Sequence, residues 1–157
     1  MVKNKLNIKY YGIDASKKLL EIGKKYLPKY GLSSDRLIHS RFEDLSTYFD
    51  HIVCINVLTY HDNILKPLDI FLKYAKKSVI LRESISNKST FKYVKDNYLN
   101  KGVNIKTYIN TYDSKVIKKF LKSGNYNYKF IKDIHSNGKP QNVIDHKHYW
   151  KFLHITK

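Results

Sequence analysis

Residues 50–58 read DHIVCINVL, which places Ile52, Val53, Cys54 and Ile55, then Val57 and Leu58, in an almost unbroken apolar run. A strand with one wet face alternates polar and apolar side chains, whereas this one does not. Strands of this kind are buried on both faces, as in parallel sheets covered by helices. The flanking sequence supplies the other parts of such a sheet. Residues 6–13 (LNIKYYGI) read as a strand ending at Asp14. Ser16 suits an N-cap, Leu19, Leu20, Gly23, Tyr26 and Leu27 follow at helical spacing, and Pro28 closes the run. Residues 36–41 form a short second strand, and 42–48 a polar connection. After the apolar run, Asp62 or Asn63 can cap a helix whose stripe is Ile64, Leu68, Phe71, Leu72 and Ala75. Residues 78–81 are a fourth strand. The spacing predicts helices over 88–99 and 111–121, then strands over 126–134 and 147–156 joined by the turn sequence SNGKP. Alternating strands and helices mean an open α/β sheet, mostly parallel, here ending in an antiparallel pair. The whole of 1–157 is expected to form one domain.

No run of about 18 apolar residues is present, so no membrane span or membrane partner is expected. The first residues lack the apolar core of a secretory signal. The single cysteine, Cys54, excludes an internal disulfide framework and a cysteine-only zinc site. The cytoplasm is the expected address. The formal charge of +17 is the unusual number, from 30 basic and 13 acidic residues. Such a field attracts nucleic acid or other polyanions. The basic residues are nearly all lysine, however, with only Arg36, Arg41 and Arg82 as arginine. Asparagine, tyrosine and isoleucine are abundant too, so codon bias accounts for the lysine more simply.

In open α/β sheets the ligand sits beyond the carboxyl ends of the strands. That rule selects Asp14 and Ala15, then 42–44, 56–61 and 82–84. A carboxylate at a strand end can accept hydrogen bonds from both hydroxyls of a ribose, or simply cap the next helix. The segments YGIDASKKL, RFEDL and FDHIVCINVLTYH, in this order and spacing, resemble the class I S-adenosylmethionine-dependent methyltransferases. The resemblance covers residues 6–84, and the terminal strand pair fits it. It implies a Rossmann-like sheet and S-adenosyl-L-methionine as cofactor. By the resemblance, Asp14 would hold the ribose hydroxyls and Ala15 would line the adenine side. Phe42, Glu43 and Asp44 would flank the adenine, although the family often has Asp where this chain has Arg41. Asn56 would contact the methionine part, and Tyr60 or His61 would face the acceptor. His61 is the candidate base, since an imidazole exchanges protons at neutral pH; the alternative is that it begins the next helix.

Other candidates have simpler explanations. His146 and His148 share a strand face, as metal ligands can, but no third ligand accompanies them, and a solvated strand end is expected. Cys54 reads as a packed core residue. Tyr149, Trp150 and Phe152 can stack bases, yet alternation on a packed sheet explains them.

The family's Gly-rich turn follows its first strand, and this chain has no Gly-x-Gly. Its first glycine, Gly12, lies in the strand that matches the family's second. The expectation is therefore an N-terminally shortened methyltransferase lacking the first strand-helix unit, with weak or absent activity. The halves would close directly, be completed by a complementing chain or a second copy, or form poorly. The expected reaction is methyl transfer to a small-molecule acceptor. The rival is a non-catalytic methyltransferase-like module that binds RNA or another polyanion through its charge. A nicotinamide-dependent oxidoreductase needs the same glycines and fits the terminal pair less well.

Overall fold

The structure is a computed structural model that describes residues 8–95, 106–143 and 146–157. Contacts divide the chain into two compact units, Met1–Ser46 and Thr47–Lys157. The first holds β1 (Gly12–Asp14), α1 (Lys17–Tyr26) and β2 (Leu37–His39). β1 and β2 pair in parallel, with Gly12 opposite Leu37 and Asp14 opposite His39. Ser16 caps α1 as expected, its hydroxyl accepting from the Leu19 N–H at 3.3 Å. Pro28 ends the α-helix by drawing the chain into a 3-10 turn, Leu27–Tyr30, which Gly31 closes at φ 73°. The strand expected over 6–13 is shorter, since among the described residues β1 begins only at Gly12; 6 and 7 lie outside them.

The second unit holds β3 (Phe49–Ile55), α2 (Leu65–Tyr74), β4 (Ala75–Ser86), β5 (Tyr93–Lys95), β6 (Lys106–Tyr108) and β7 (Tyr112–Asp113). It continues with α3 (Ser114–Ser123), β8 (Asn127–Lys132), β9 (Gln141–Val143), β10 (His146–His148) and β11 (Trp150–Thr156). The main sheet runs β3-β4-β11-β8, with β7 against the end of β4. β3 and β4 are parallel, and β11 is antiparallel to both its neighbours. The terminal antiparallel pair is therefore present, with β11 inserted between β4 and β8. Local chemistry starts both helices. The Asn63 side chain accepts from the N–H groups of Leu65 and Lys66, and Asp113 accepts from Lys115 N–H at 2.7 Å.

One sheet face carries the core. Val79 and Leu81 of β4 and Leu153 and Ile155 of β11 are fully buried, as are Leu68 of α2 and Ile117 and Leu121 of α3. The other face differs from the sequence expectation. Cys54 is buried, but its neighbours Val53 and Ile55 are 59% and 49% exposed. β3 is thus covered on one face only among the described residues, because α2 and α3 both bury their apolar stripes on the core side.

The helix expected over 88–99 does not form where it is described. Tyr93–Lys95 pairs antiparallel with Lys106–Tyr108, and residues 96–99 lie outside the described residues. Tyr93, Val94 and Thr107 are strand formers, and the Tyr93 and Tyr108 rings meet across the ladder at 4.7 Å. That cross-strand contact overrides a weak helical pattern. β4 is also longer than 78–81, because its charged residues find partners on both faces.

Leu153→Ala, in the middle of β11, should destabilise the chain by about 2–5 kcal/mol in denaturant titrations. Val53→Ser, on the open face, should stay within about 0.5 kcal/mol.

Candidate active site

Among the predicted site residues, five lie in the first unit at the carboxyl ends of adjacent parallel strands. The Asp14 carboxylate accepts the Ser16 N–H through Oδ1 at 2.7 Å, an Asx turn that leads into α1. Its second oxygen takes no bond among the described residues. Ala15 is exposed, and its carbonyl meets His39 Nε2 at 3.0 Å. Phe42, Glu43 and Asp44 form a single 3-10 turn after β2. Glu43 is held by Arg41 through two bonds, Nε to Oε2 at 3.3 Å and a terminal guanidinium nitrogen to Oε1 at 3.0 Å. The residue that departs from the family pattern thus engages the neighbouring carboxylate.

The remaining candidates lie in the second unit. Asn56 follows β3 at φ 57°, a left-handed conformation that asparagine tolerates better than most residues. Its N–H donates to the Arg82 carbonyl at 2.8 Å, and its Oδ1 accepts from the Arg82 guanidinium at 2.6 Å. Tyr60 is exposed and lines a cavity described below. His61 does not line it; its carbonyl is anchored by the Tyr112 hydroxyl and the Asn110 amide.

Arg82 and Glu83, successive residues of β4, shape this end of the sheet from opposite faces. Glu83 is fully buried. Its Oε1 accepts from Val57 and Leu58 N–H, each at 2.9 Å, and its Oε2 from Thr59 N–H at 3.0 Å and the Thr59 hydroxyl at 2.8 Å. The carboxylate holds the 57–59 turn in place. Burial pushes its pKa up to about 7, against the pull of those four donors. Burial likewise raises the Cys54 thiol, which is packed core as expected and a poor nucleophile.

Arg82 makes a two-pronged ion pair with Asp133, at 2.9 and 3.1 Å, while its central carbon lies 4.7 Å from the Trp150 ring centre. Asp133 is fully buried, and the guanidinium holds its carboxyl well below the usual range. Trp150 stacks in turn on His148, with ring centres 4.6 Å apart and planes 3° from parallel. His146 meets His148 edge-on at 4.9 Å. The expected solvated strand end is therefore wrong for both histidines, which are 7% and 1% exposed. No group of three metal-ligating side chains occurs among the described residues.

Arg82, His148 and Trp150 border a cavity of about 290 Å3. Asn56, Thr59 and Tyr60 form one side, Arg82 and Trp150 the floor strands, and Ile109, Gln141, Val143 and His148 the rest. The strand-end rule selected the stretches that hold Asn56, Thr59, Tyr60 and Arg82, but only Asn56 and Tyr60 were given a role in a site. The signal that was available lay in the charged pair Arg82-Glu83 within a β-forming segment, and in the alternation of His146, His148 and Trp150.

No family model and no curated protein sequence matches the chain. Solved structures do match. Magnesium protoporphyrin IX methyltransferase from Synechocystis PCC 6803 with bound S-adenosylhomocysteine superposes at TM-score 0.61 and 12% identity, over 94% of this chain and 63% of that one. An S-adenosylmethionine-dependent methyltransferase from Mesorhizobium loti gives 0.56 and 8%, over 94% and 80%. An O-methyltransferase of a Brevibacillus brevis polyketide synthase, in complex with S-adenosyl-L-homocysteine, gives 0.54 and 18%, over 79% and 40%. The chain has the class I methyltransferase fold. It spans 58% of the Synechocystis enzyme in its S-adenosylmethionine-bound structure, less than two thirds of that length. In this methyltransferase fold, the cavity lies at the carboxyl ends of β3 and β4, where ligands of open α/β sheets bind.

Two of the buried titratable groups, Glu83 and His148, oppose each other. Glu83 binds its proton more tightly folded than unfolded, so stability falls as pH rises from 4.5 to about 7. His148 is held neutral by burial, so stability rises with pH from about 4 to 6.5, and His146 is shifted the same way. Glu83→Gln should therefore leave a Tm that climbs with pH between about 4.5 and 6.5, and His148→Phe should turn that slope downward. A Tm–pH profile that Glu83→Gln does not alter would exclude Glu83 as a titrating group.

Proposed function

We propose that the chain is an S-adenosylmethionine-dependent methyltransferase acting on a small-molecule acceptor. The observation that carries the reading is Asp14. It stands at the carboxyl end of a parallel strand in a methyltransferase fold, with one carboxylate oxygen spent on the Asx turn and the other open to a ligand. A ribose offers two hydroxyl donors to such a group. Phe42 and Asp44, in the turn after β2, and Ala15, after β1, are assigned to the adenine. Glu43 serves through its backbone turn, since Arg41 occupies its carboxylate. In the second unit, taken by itself, Asn56 is fixed by Arg82 at the edge of the cavity. The chain contains no Gly-x-Gly, so the fit rests on the adenosine side.

The cofactor supplies an electrophilic methyl group on a sulfonium. The protein's share is alignment and exclusion of water, which such a transfer needs more than strong acid or base chemistry. Tyr60, Ile109 and Trp150 line the space beside Asn56 where an acceptor would sit.

Calorimetric titration with S-adenosylhomocysteine tests this. Micromolar binding is expected. Asp14→Asn keeps an acceptor for the Ser16 N–H but loses the charge, and should weaken binding by about tenfold or more. Unchanged affinity would remove Asp14 from the site, and no binding by the folded chain would overturn the reading.

One observation favours a second reading. Lys115, Lys118, Lys119 and Lys122 are all exposed on α3, whose ten residues include no acid. Such a face attracts a polyanion. Single-stranded RNA should then bind with an affinity that falls steeply as salt rises. Salt-insensitive or undetectable binding in fluorescence anisotropy would dismiss it.

A further inference from the structure

The β5–β6 ribbon turns its aromatic side chains outward. Tyr93 lies opposite Tyr108, Val94 opposite Thr107 and Lys95 opposite Lys106. Successive residues of a strand point to opposite faces, so Tyr93, Lys95, Lys106 and Tyr108 share one face and Val94 and Thr107 the other. All four residues of the first face are exposed, and the two of the second are half-buried. Tyr93 and Tyr108 are 58% and 40% exposed, and Phe91, which precedes Tyr93 on the same side of the strand, is 56% exposed. An antiparallel ribbon with one wet face ordinarily turns its apolar side chains inward.

The ribbon is firmly held. Its ladder continues through the Ile109 N–H, which donates to the Lys92 carbonyl at 2.8 Å, and through a reciprocal pair of bonds between Thr90 and Thr111, each 2.9 Å. The Asn110 N–H donates to the Thr59 carbonyl at 2.9 Å, which fastens the ribbon to the turn after β3.

Two features of the outward face define what it takes. The Tyr93 and Tyr108 rings meet at 4.7 Å with their planes 42° apart, so they form one continuous aromatic surface. Flat heterocycles stack on such a surface whatever their hydrogen-bonding edges. Lys95 and Lys106 stand directly opposite each other, and like charges in that position repel. Neither forms an ion pair among the described residues. An anion between them removes the repulsion. The lysine pair lies about 7 Å along the ribbon from the tyrosine pair. A flat ring joined to an anion over that reach is a nucleotide, and the net charge of +17 favours a chain of them. An acidic peptide or a lipid headgroup would meet the lysines and leave the tyrosines bare.

We propose that the outward face of the β5–β6 ribbon binds single-stranded nucleic acid, with a base stacked on the Tyr93–Tyr108 pair and its phosphate between Lys95 and Lys106. This surface is separate from the α3 lysines, which would attract a polyanion without regard to its bases. It does not depend on the methyltransferase reading.

The test is fluorescence anisotropy on the full chain with two labelled probes of about ten nucleotides, oligothymidylate and the same backbone without bases. Oligothymidylate should bind about tenfold more tightly, and this preference should persist as salt rises while both affinities fall. Tyr93→Thr combined with Tyr108→Thr, at exposed positions where threonine favours the strand, should abolish the preference. Lys95→Gln and Lys106→Gln should each reduce the slope of log affinity against log salt by about 0.7. Lys118→Gln with Lys122→Gln on α3 should change both probes by the same factor and leave the preference intact. Saturating oligothymidylate should also move the Tyr93 and Tyr108 ring proton resonances of the wild-type chain upfield, a readout that does not depend on any variant folding. Equal binding of the two probes, a preference that survives loss of both tyrosines, or ring resonances that stay unmoved would each overturn the proposal. Binding that ignores the bases and depends on the α3 lysines alone would overturn it and leave the α3 reading standing, and the S-adenosylhomocysteine titration bears on neither.

Discussion

The Arg82 guanidinium ties the carboxyl ends of β3, β4 and β8 to the start of β11. It rises from β4, pairs with Asp133 just after β8, bonds Asn56 just after β3, and lies over Trp150 at the start of β11. Asp133 is fully buried, and it also receives the Ser136 N–H at 2.8 Å, which fixes the turn that follows β8. A buried carboxylate without its partner is an expensive object, so removing the arginine would cost about 3–5 kcal/mol and release three strand ends at once. The planar, forked geometry of arginine makes this possible. Lysine could not bond both oxygens of Asp133 and Asn56 together while presenting a flat face to the indole.

Glu83 completes the arrangement from the other face of β4. Successive residues of a strand point to opposite sides, so the pair Arg82-Glu83 sends one charge into each. Glu83 holds three consecutive N–H groups of the 57–59 turn, and Arg82 holds the side chain of the residue just before it, Asn56. The connection after β3 is therefore gripped by both residues. The left-handed Asn56 is the bend that permits this. The cavity beside it inherits its shape from these charged contacts more than from packing alone.

Local chemistry was the legible part of the sequence. Ser16 and Asn63 each do what their position next to an apolar periodicity implied, and 136–140 turn the chain with Asn137 and Gly138 at φ 49° and 70°. The apolar run at 52–58 correctly announced a sheet strand, and the order of elements announced the fold. What the run did not announce was coverage. Composition states which faces a strand can bury, whereas coverage depends on elements distant in sequence. The helix expected at 88–99 failed for the same reason, since Tyr93 and Tyr108 contact each other across 15 positions. Most of the site was hidden because its logic is pairwise over long range. Arg82 and Asp133 are 51 residues apart, and Glu83 bonds residues 24 to 26 positions away.

The net charge of +17 and the chemistry of the cavity act at different distances. The lysines sit on the surface, where their summed field acts on whatever approaches and is screened by salt within about 10 Å at 0.1 M. At the carboxyl ends of β3 and β4 the Arg82 charge is paired with Asp133, and the Glu83 carboxyl group meets four neutral hydrogen-bond donors. An imidazole kept neutral by burial fits such a place, because a second positive charge beside Arg82 would have no anion left to meet it. Ligand choice in this cavity is therefore a matter of hydrogen-bond complementarity and shape, and the large charge on the outside carries no information about it.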